Sequence, residues 1–262
     1  MHPTAAIDPD ASLGTGVDIG PYAVIEADVV IGDRCRIGAH TVIKRHTRLG
    51  AENAVHEHVV LGGAPQHLSF TPCTSYVKIG AGNVIREGVT VHRALHQGAA
   101  TRIGDDNYLM AYAHVAHDCH VGHSVLIANN AMLGGHVEVG ERAFVSGGAG
   151  IHQFCRVGRL AMVGFNSKVT QDCLPFVTTD GVPARARGLN TVGLKRAGIP
   201  PEERQALRRA YRLLLRSGLG LENALQRLRE SESALVAELA AFVESSTRGI
   251  CRKPGLEHRS HK

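Results

Sequence analysis

Five histidines (His114, His117, His120, His123 and His136) crowd the stretch from Met110 to His136, and His152 and Gln153 follow. Imidazole titrates near neutral pH, so such a cluster is equipped to take up and return protons. Among them lies the pair Gly134-Gly135. With no Cβ to shield it, the Gly135 N–H is suited to hold the oxyanion of a tetrahedral intermediate. A base and an oxyanion donor, with no serine or cysteine in matching register, point to direct attack by an external hydroxyl on an activated acyl group. Cys119 offers the alternative of a thiol nucleophile, although neighbouring strand residues face opposite ways.

These groups act together only if the chain holds them on one surface, and a six-residue repeat does so. Counting every sixth residue from Ile7 to Val169, 25 of the 28 slots hold Ile, Leu or Val. Neither a helical period nor simple alternation produces that pattern. It marks a parallel β-helix in which each hexad is a short strand and a turn, and three hexads close a triangular coil. The aliphatic residue points inward. The glycine that often follows it, as at Gly14, Gly20, Gly32 and Gly38, is expected to let the backbone turn the corner. Prisms of this kind resemble the left-handed β-helix.

Residues eighteen apart then stack on one face, with coils about 4.8 Å apart. His117 falls under Gly135 and Gln153, Asp118 under His136 and Phe154, and Ala116 under Gly134 and His152. A step of three lands near the next corner, so His114, His117, His120 and His123 do not enclose one tetrahedral metal ion. A metal shared between subunits through His92, His114 or His117, as in a hexapeptide-repeat enzyme of carbonic-anhydrase type, is a competing reading. A non-catalytic scaffold built on a decayed repeat is a third. The phase breaks at Gly62–Tyr76 and Arg93–Thr101, which read as loops thrown out from the prism wall, where binding surfaces tend to lie.

Composition agrees with a narrow aliphatic core: 44% of residues are hydrophobic, yet only 4% are aromatic and there is no Trp. The six cysteines form no CxxC pair and read as reduced thiols of a cytoplasmic protein. The first residues lack the basic and apolar regions of a signal peptide, and no apolar run is long enough to span a membrane. After Pro175 the repeat stops. Pro183–Asn190 reads as a linker, Pro200-Pro201-Glu202-Glu203 starts a helix, and Leu221–Arg229 and Ser233–Glu244 complete a small bundle. The expected division is a β-helix over residues 1–184, a helical domain over 185–250 and a disordered tail over 251–262. The net charge of +5 is local: nine Lys or Arg between Arg185 and Arg216 face only Glu202 and Glu203. Such a patch suits an acidic protein, a phosphorylated ligand or nucleic acid, unless it is simply a solvated helix face.

The segments VTVHRA, AYAHVAHDC, IANNAMLGGHVEVG and GIHQFCRVG, followed by NTVGLKRAG, YRLLLRSG and SSTRG, resemble the UDP-N-acetylglucosamine 3-O-acyltransferase family, which begins lipid A synthesis. The likeness runs from Ile7 to about Ile250. It implies a UDP-GlcNAc-type acceptor, a (3-hydroxy)acyl donor on acyl carrier protein, and a homotrimer with active sites between prisms. His117 would be the general base, Asp118 its polarising partner and Gly135 the oxyanion donor. His92, His114 and His136 would position the sugar, pyrophosphate and acyl groups. His152 and Gln153 would flank the acyl cleft, and Asn190 and Arg196 would lie near the nucleotide. The basic helical region would dock the carrier protein. No cofactor, metal, nucleic-acid partner or stable membrane insertion is implied.

Three positions depart from the family pattern. Where its loop reads Gln-Asp-Leu-Lys, this chain has Gln66-His67-Leu68-Ser69, so His67 replaces the acid associated with the acyl 3-hydroxyl and Ser69 removes a positive charge from the cleft. Phe165 replaces a small residue or Met at the floor of the acyl tunnel, and a bulky ring there should shorten the accepted chain.

Overall fold

The computed structural model describes residues 1–252. The chain winds into a left-handed parallel β-helix with three flat walls. The first wall holds nine strands, from Ala6–Ile7 to Lys168–Val169, and includes Thr90–His92, His114–Val115, Met132–Leu133 and Gly150–Ile151. The second holds eight, among them Tyr76–Ile79, Ala100–Ile103, His120–Val121 and Arg156–Val157. The third holds ten and includes Leu126–Ile127, Phe144–Val145 and Met162–Val163. Where the repeat is unbroken, strand partners are eighteen residues apart, as in His114↔Met132 and Met132↔Gly150. Inner positions such as Ile25, Ile43, Leu109, Ile127 and Leu133 are fully buried in one continuous core. Ile7 and Leu13, at the open end with no coil beneath them, are only half-buried.

Glycine has a different task from the one expected of it. Gly32 and Gly38 do not carry the left-handed φ. They sit where coils touch, and an added Cβ would come 2.6 Å from the Ala51 nitrogen or the His56 carbonyl carbon on the next coil. The corner is turned two residues later, by side-chain-bearing residues such as Arg34 (φ 56°), His40 (φ 58°), Asp118 (φ 59°) and His136 (φ 59°). Left-handed backbone costs an L-residue about 1–2 kcal/mol. The cost is offset because most of these amides donate to the coil beneath, as Arg34 does to Thr15 O (2.8 Å) and His136 to His117 O (3.0 Å).

Both interruptions leave from the same corner. The loops after Val60–Gly63 and after Thr90–His92 run from the first wall to the second, directly below His117 in the stack. At the far end, the stretch expected to be a linker is partly a strand: Arg185–Leu189 pairs antiparallel with Val177–Asp180 and extends the third wall. Four helices follow: α1 (Thr191–Arg196), α2 (Pro201–Arg216), α3 (Leu221–Arg229) and α4 (Ala234–Glu244). The first of them, α1, is not among the elements expected from the sequence; Asn190 caps it by accepting the Gly193 N–H. The helices bury Leu207, Leu214, Leu225 and Leu239 against Leu160, Leu174 and Phe176 of the prism end. The chain then returns to the prism, where Asp172 N–H donates to Gly249 O (2.8 Å) and Cys251 N–H to Asp172 O (2.9 Å). Most of the tail expected to be disordered, residues 253–262, lies outside the described residues. Among the described residues no helix is long and apolar enough to cross a membrane.

Because coil contact and not turn conformation demands glycine at Gly32 and Gly38, substitutions separate by position. Gly32→Ala should lower unfolding free energy in urea by about 1–3 kcal/mol through overpacking. Gly150→Ala, whose added Cβ meets nothing within 4 Å, should stay within about 0.5 kcal/mol of the parent protein.

Candidate active site

The predicted cluster assembles at the corner between the first and second walls, with the two loops beside it. His117 is buried, and its Nδ1 lies 2.8 Å from Asp118 Oδ2. Asp118 is held from two further sides. Its Oδ2 accepts the Leu95 N–H (2.9 Å) from the second loop, and its own N–H donates to Thr101 Oγ1 (2.8 Å). The carboxylate therefore fixes the His117 tautomer with the proton on Nδ1, leaving Nε2 bare as the basic atom. Leu95 and Thr101 were not singled out in the sequence. Each acts through a contact that no local motif encodes.

Gly135 packs against this ring. A Cβ there would stand 2.6 Å from His117 Cε1 and 2.7 Å from Nε2. Its carbonyl accepts the Phe154 N–H (3.0 Å), whereas the fold supplies no acceptor for its own N–H among the described residues. A base nitrogen thus lies beside a free amide, the pairing that acyl transfer requires. His136 meets the His117 ring edge-on (centroids 5.2 Å apart), stacks on Phe154 (4.5 Å) and places Nε2 3.9 Å from Asp118 Oδ2.

Below lie His92 and His114, edge to face at 4.9 Å. His114 Nδ1 shares a 2.7 Å hydrogen bond with Thr90 Oγ1. His92 is buried with Nδ1 unpartnered. Burial first, then the neighbouring His114 and His117, pushes its pKa down to about 4, and burial also lowers those of His114 and His136. His67, on the first loop, is exposed and meets the His117 ring edge to face, with centroids 5.5 Å apart. Its Nδ1 bonds to Ser69 Oγ (2.9 Å). His152 and Gln153 stand exposed above Gly134 and Gly135, and Arg248 Nη2 reaches His152 Nδ1 at 3.2 Å. Arg248 also belongs to the site wall and comes from the SSTRG segment.

Phe165, Asn190 and Arg196 are elsewhere. Phe165, 71% exposed, lies at the corner between the third and first walls. Asn190 and Arg196 border a cleft of about 660 Å³ between the third wall and α1, lined also by Phe144, Met162 and Val192. The Asn190 amide is engaged by the fold, since Oδ1 accepts Gly193 N–H and Nδ2 donates to Leu160 O. The histidine corner and these three residues therefore lie on different faces of the chain.

The competing chemistries fare differently. Cys119 points into the core, donates its thiol to Gly134 O (3.1 Å) and is pushed up to about 12 by burial, so it is no nucleophile. His117, Asp118 and His136 offer donor atoms within 4.8 Å of one another, close enough for a metal ion. Asp118 Oδ2, however, already accepts from both His117 and Leu95, which makes the group a hydrogen-bonded dyad as it stands. His120 and His123 belong to the second wall and its far corner, where His123 pairs with Asp105 (3.0 Å).

Fold and site together define a hexapeptide-repeat acyltransferase. Residues 10–45 and 100–135 match the bacterial transferase hexapeptide model, and residues 172–251 match domain 2 of UDP-N-acetylglucosamine O-acyltransferase. An acyl-[acyl-carrier-protein]--UDP-N-acetylglucosamine O-acyltransferase of Alkalilimnicola ehrlichii is 51% identical over 255 residues, covering 96% of this chain and 99% of that protein. A UDP-N-acetylglucosamine acyltransferase structure from Bacteroides fragilis superposes with a TM-score of 0.94 at 34% identity, covering 96% of this chain and 100% of the other. One from Campylobacter jejuni gives 0.91 at 37%, covering 96% and 99%. The chain belongs to the UDP-N-acetylglucosamine O-acyltransferase family.

The buried histidine gives a pH test of this geometry. Because the folded-state pKa of His92 is depressed below its unfolded value of about 6.5, the unfolded chain binds more protons between pH 6.5 and 4, and stability contributed by the neutral ring is lost as pH falls through that window. Urea midpoints measured at pH 7.5 and 5 should drop less in His92→Gln than in the parent protein.

Proposed function

We propose that this chain transfers a (3-hydroxy)acyl group from acyl carrier protein to the glucosamine 3-position of a UDP-GlcNAc-type nucleotide, the reaction that begins lipid A synthesis. The names of its relatives support this reading. The observation that carries it is the His117–Asp118 dyad, with Nε2 bare beside the unpartnered Gly135 amide.

The chemistry follows from those atoms. His117 Nε2 takes the proton of the acceptor hydroxyl as its oxygen attacks the thioester carbonyl carbon. Negative charge gathers on the carbonyl oxygen, where the Gly135 N–H stabilises it. Asp118 stabilises the imidazolium that forms. The C–S bond then breaks, and His117 returns its proton to the departing thiolate. Burial lowers the pKa of the three neighbouring histidines, and Asp118 bonds to the His117 ring among them, which supports His117 as the proton carrier. His67, with Nδ1 engaged by Ser69, presents Nε2 to the acyl group in place of the family's acid.

We infer a homotrimer in which the histidine corner of one prism faces the Phe165, Asn190 and Arg196 side of its neighbour. The separation of the two half-sites on a single chain supports this assembly. In it, Phe165 floors the acyl tunnel, Asn190 acts by holding α1 in place, and Arg196 meets the nucleotide. Six free cysteines, five of them buried, and the absence of a spanning helix among the described residues support a cytoplasmic enzyme.

His117→Ala should lower kcat by roughly 10³-fold with little change in KM, and Asp118→Asn by at least about 10²-fold. An unchanged kcat in His117→Ala would remove the general base from the account. Co-assembling His117→Ala chains with Arg196→Ala chains should restore activity absent from either variant alone, because some interfaces then pair two intact half-sites. Mixed trimers as inactive as the parents would refute the shared site.

A further inference from the structure

A cavity on the outer side of α1 has no part in the mechanism above. It encloses about 280 Å³ and is lined by Thr191, Lys195, Arg204, Gln205 and Arg208, with no carboxylate among its lining residues. Arg204 and Arg208 are one helical turn apart on α2, a spacing at which like charges repel, and Lys195 adds a third cation from α1. None of the three lies within ion-pair distance of an acid among the described residues. The acids at the start of α2 are turned away: Glu202 and Glu203 line a separate hollow against α3 and α4, where Glu203 accepts a hydrogen bond from Ser233.

We propose that Lys195, Arg204 and Arg208 form a phosphate-binding pocket that takes the phosphodiester of the acyl donor's phosphopantetheine arm. Guanidinium groups match phosphate oxygens in a two-pronged geometry, and an anion would relieve the mutual repulsion of the three cations. The choice between the donor and the sugar nucleotide rests on which sides of α1 the two hollows use. Val192, Gly193 and Arg196 open onto the cleft against the third wall, whereas Thr191 and Lys195, four residues apart, open onto this cavity. A nucleotide held at Arg196 thus leaves this cavity free. The inference rests on the acyl-transfer reading and adds to it a fixed anchor for the arm, distinct from diffuse attraction between a basic helix and an acidic carrier.

The test compares the full-length protein with the Arg204→Gln/Arg208→Gln variant, whose fold is checked by circular dichroism. Isothermal titration with inorganic phosphate should show binding that the variant loses. Acyl-phosphopantetheine should be a better substrate than acyl-pantetheine by about tenfold in kcat/KM for the parent protein, a step equivalent to one charge-assisted contact. The variant should treat the two alike, with KM for the sugar nucleotide unchanged. Equal phosphate binding by both proteins, discrimination surviving in the variant, or a response confined to the sugar nucleotide would overturn the proposal. If neither protein transferred any acyl group, the acyltransferase reading would fail instead, and the phosphate titration would still decide whether the pocket exists.

Discussion

Everything in this molecule depends on the closeness with which one coil lies on the next. Strand spacing in a sheet is about 4.8 Å, and at the points of tightest contact this prism has no room for a Cβ. That constraint makes the repeat strictly periodic and fixes register to the residue. It therefore stacks His117, Gly135 and Gln153 in one column and Asp118, His136 and Phe154 in the next. The same closeness that would expel a methyl group from Gly135 presses its backbone against the imidazole. Packing and chemistry thus rest on a single geometric requirement.

The electrostatics of the corner follow from the same economy of space. His92 is buried with one nitrogen unpartnered, His114 is half-buried with a hydroxyl partner, and His136 lies flat on Phe154. Desolvation keeps all three below their ordinary pKa. Asp118 touches His117 and is itself pinned by an amide from one loop and a hydroxyl from the next strand. The carboxylate is thus directed at one ring out of several, and that ring carries the bare nitrogen beside the free amide.

Much of this was legible in the sequence. The hexad phase gave the three walls, the step of eighteen gave the two columns, and the proline and acids at Pro201–Glu203 gave the start of α2. The rest was not, for physical reasons. Thr101 and Leu95 reach Asp118 across a coil through single hydrogen bonds, which leave no periodic trace. Glycine favours left-handed φ and so suggests a corner wherever it recurs, yet Arg34, His40 and their equivalents turn many of the corners while Gly32 and Gly38 relieve contact between coils. The strand Arg185–Leu189 resembles a linker because it carries no hexad. The column arithmetic could place His117 against Gly135, but it said nothing of Phe165, Asn190 and Arg196. These turned out to lie on other faces of the same chain.

The central claim, that His117 draws the proton from a sugar hydroxyl across a cleft completed by a second chain, is tested most directly by a crystal structure with UDP-GlcNAc bound. The account predicts the sugar 3-oxygen within about 3 Å of His117 Nε2, the reach of a general base, with the nucleotide end resting against α1 of a neighbouring chain. A sugar whose 3-oxygen lies well beyond hydrogen-bond reach of that nitrogen, or a nucleotide held wholly within one chain, would contradict it.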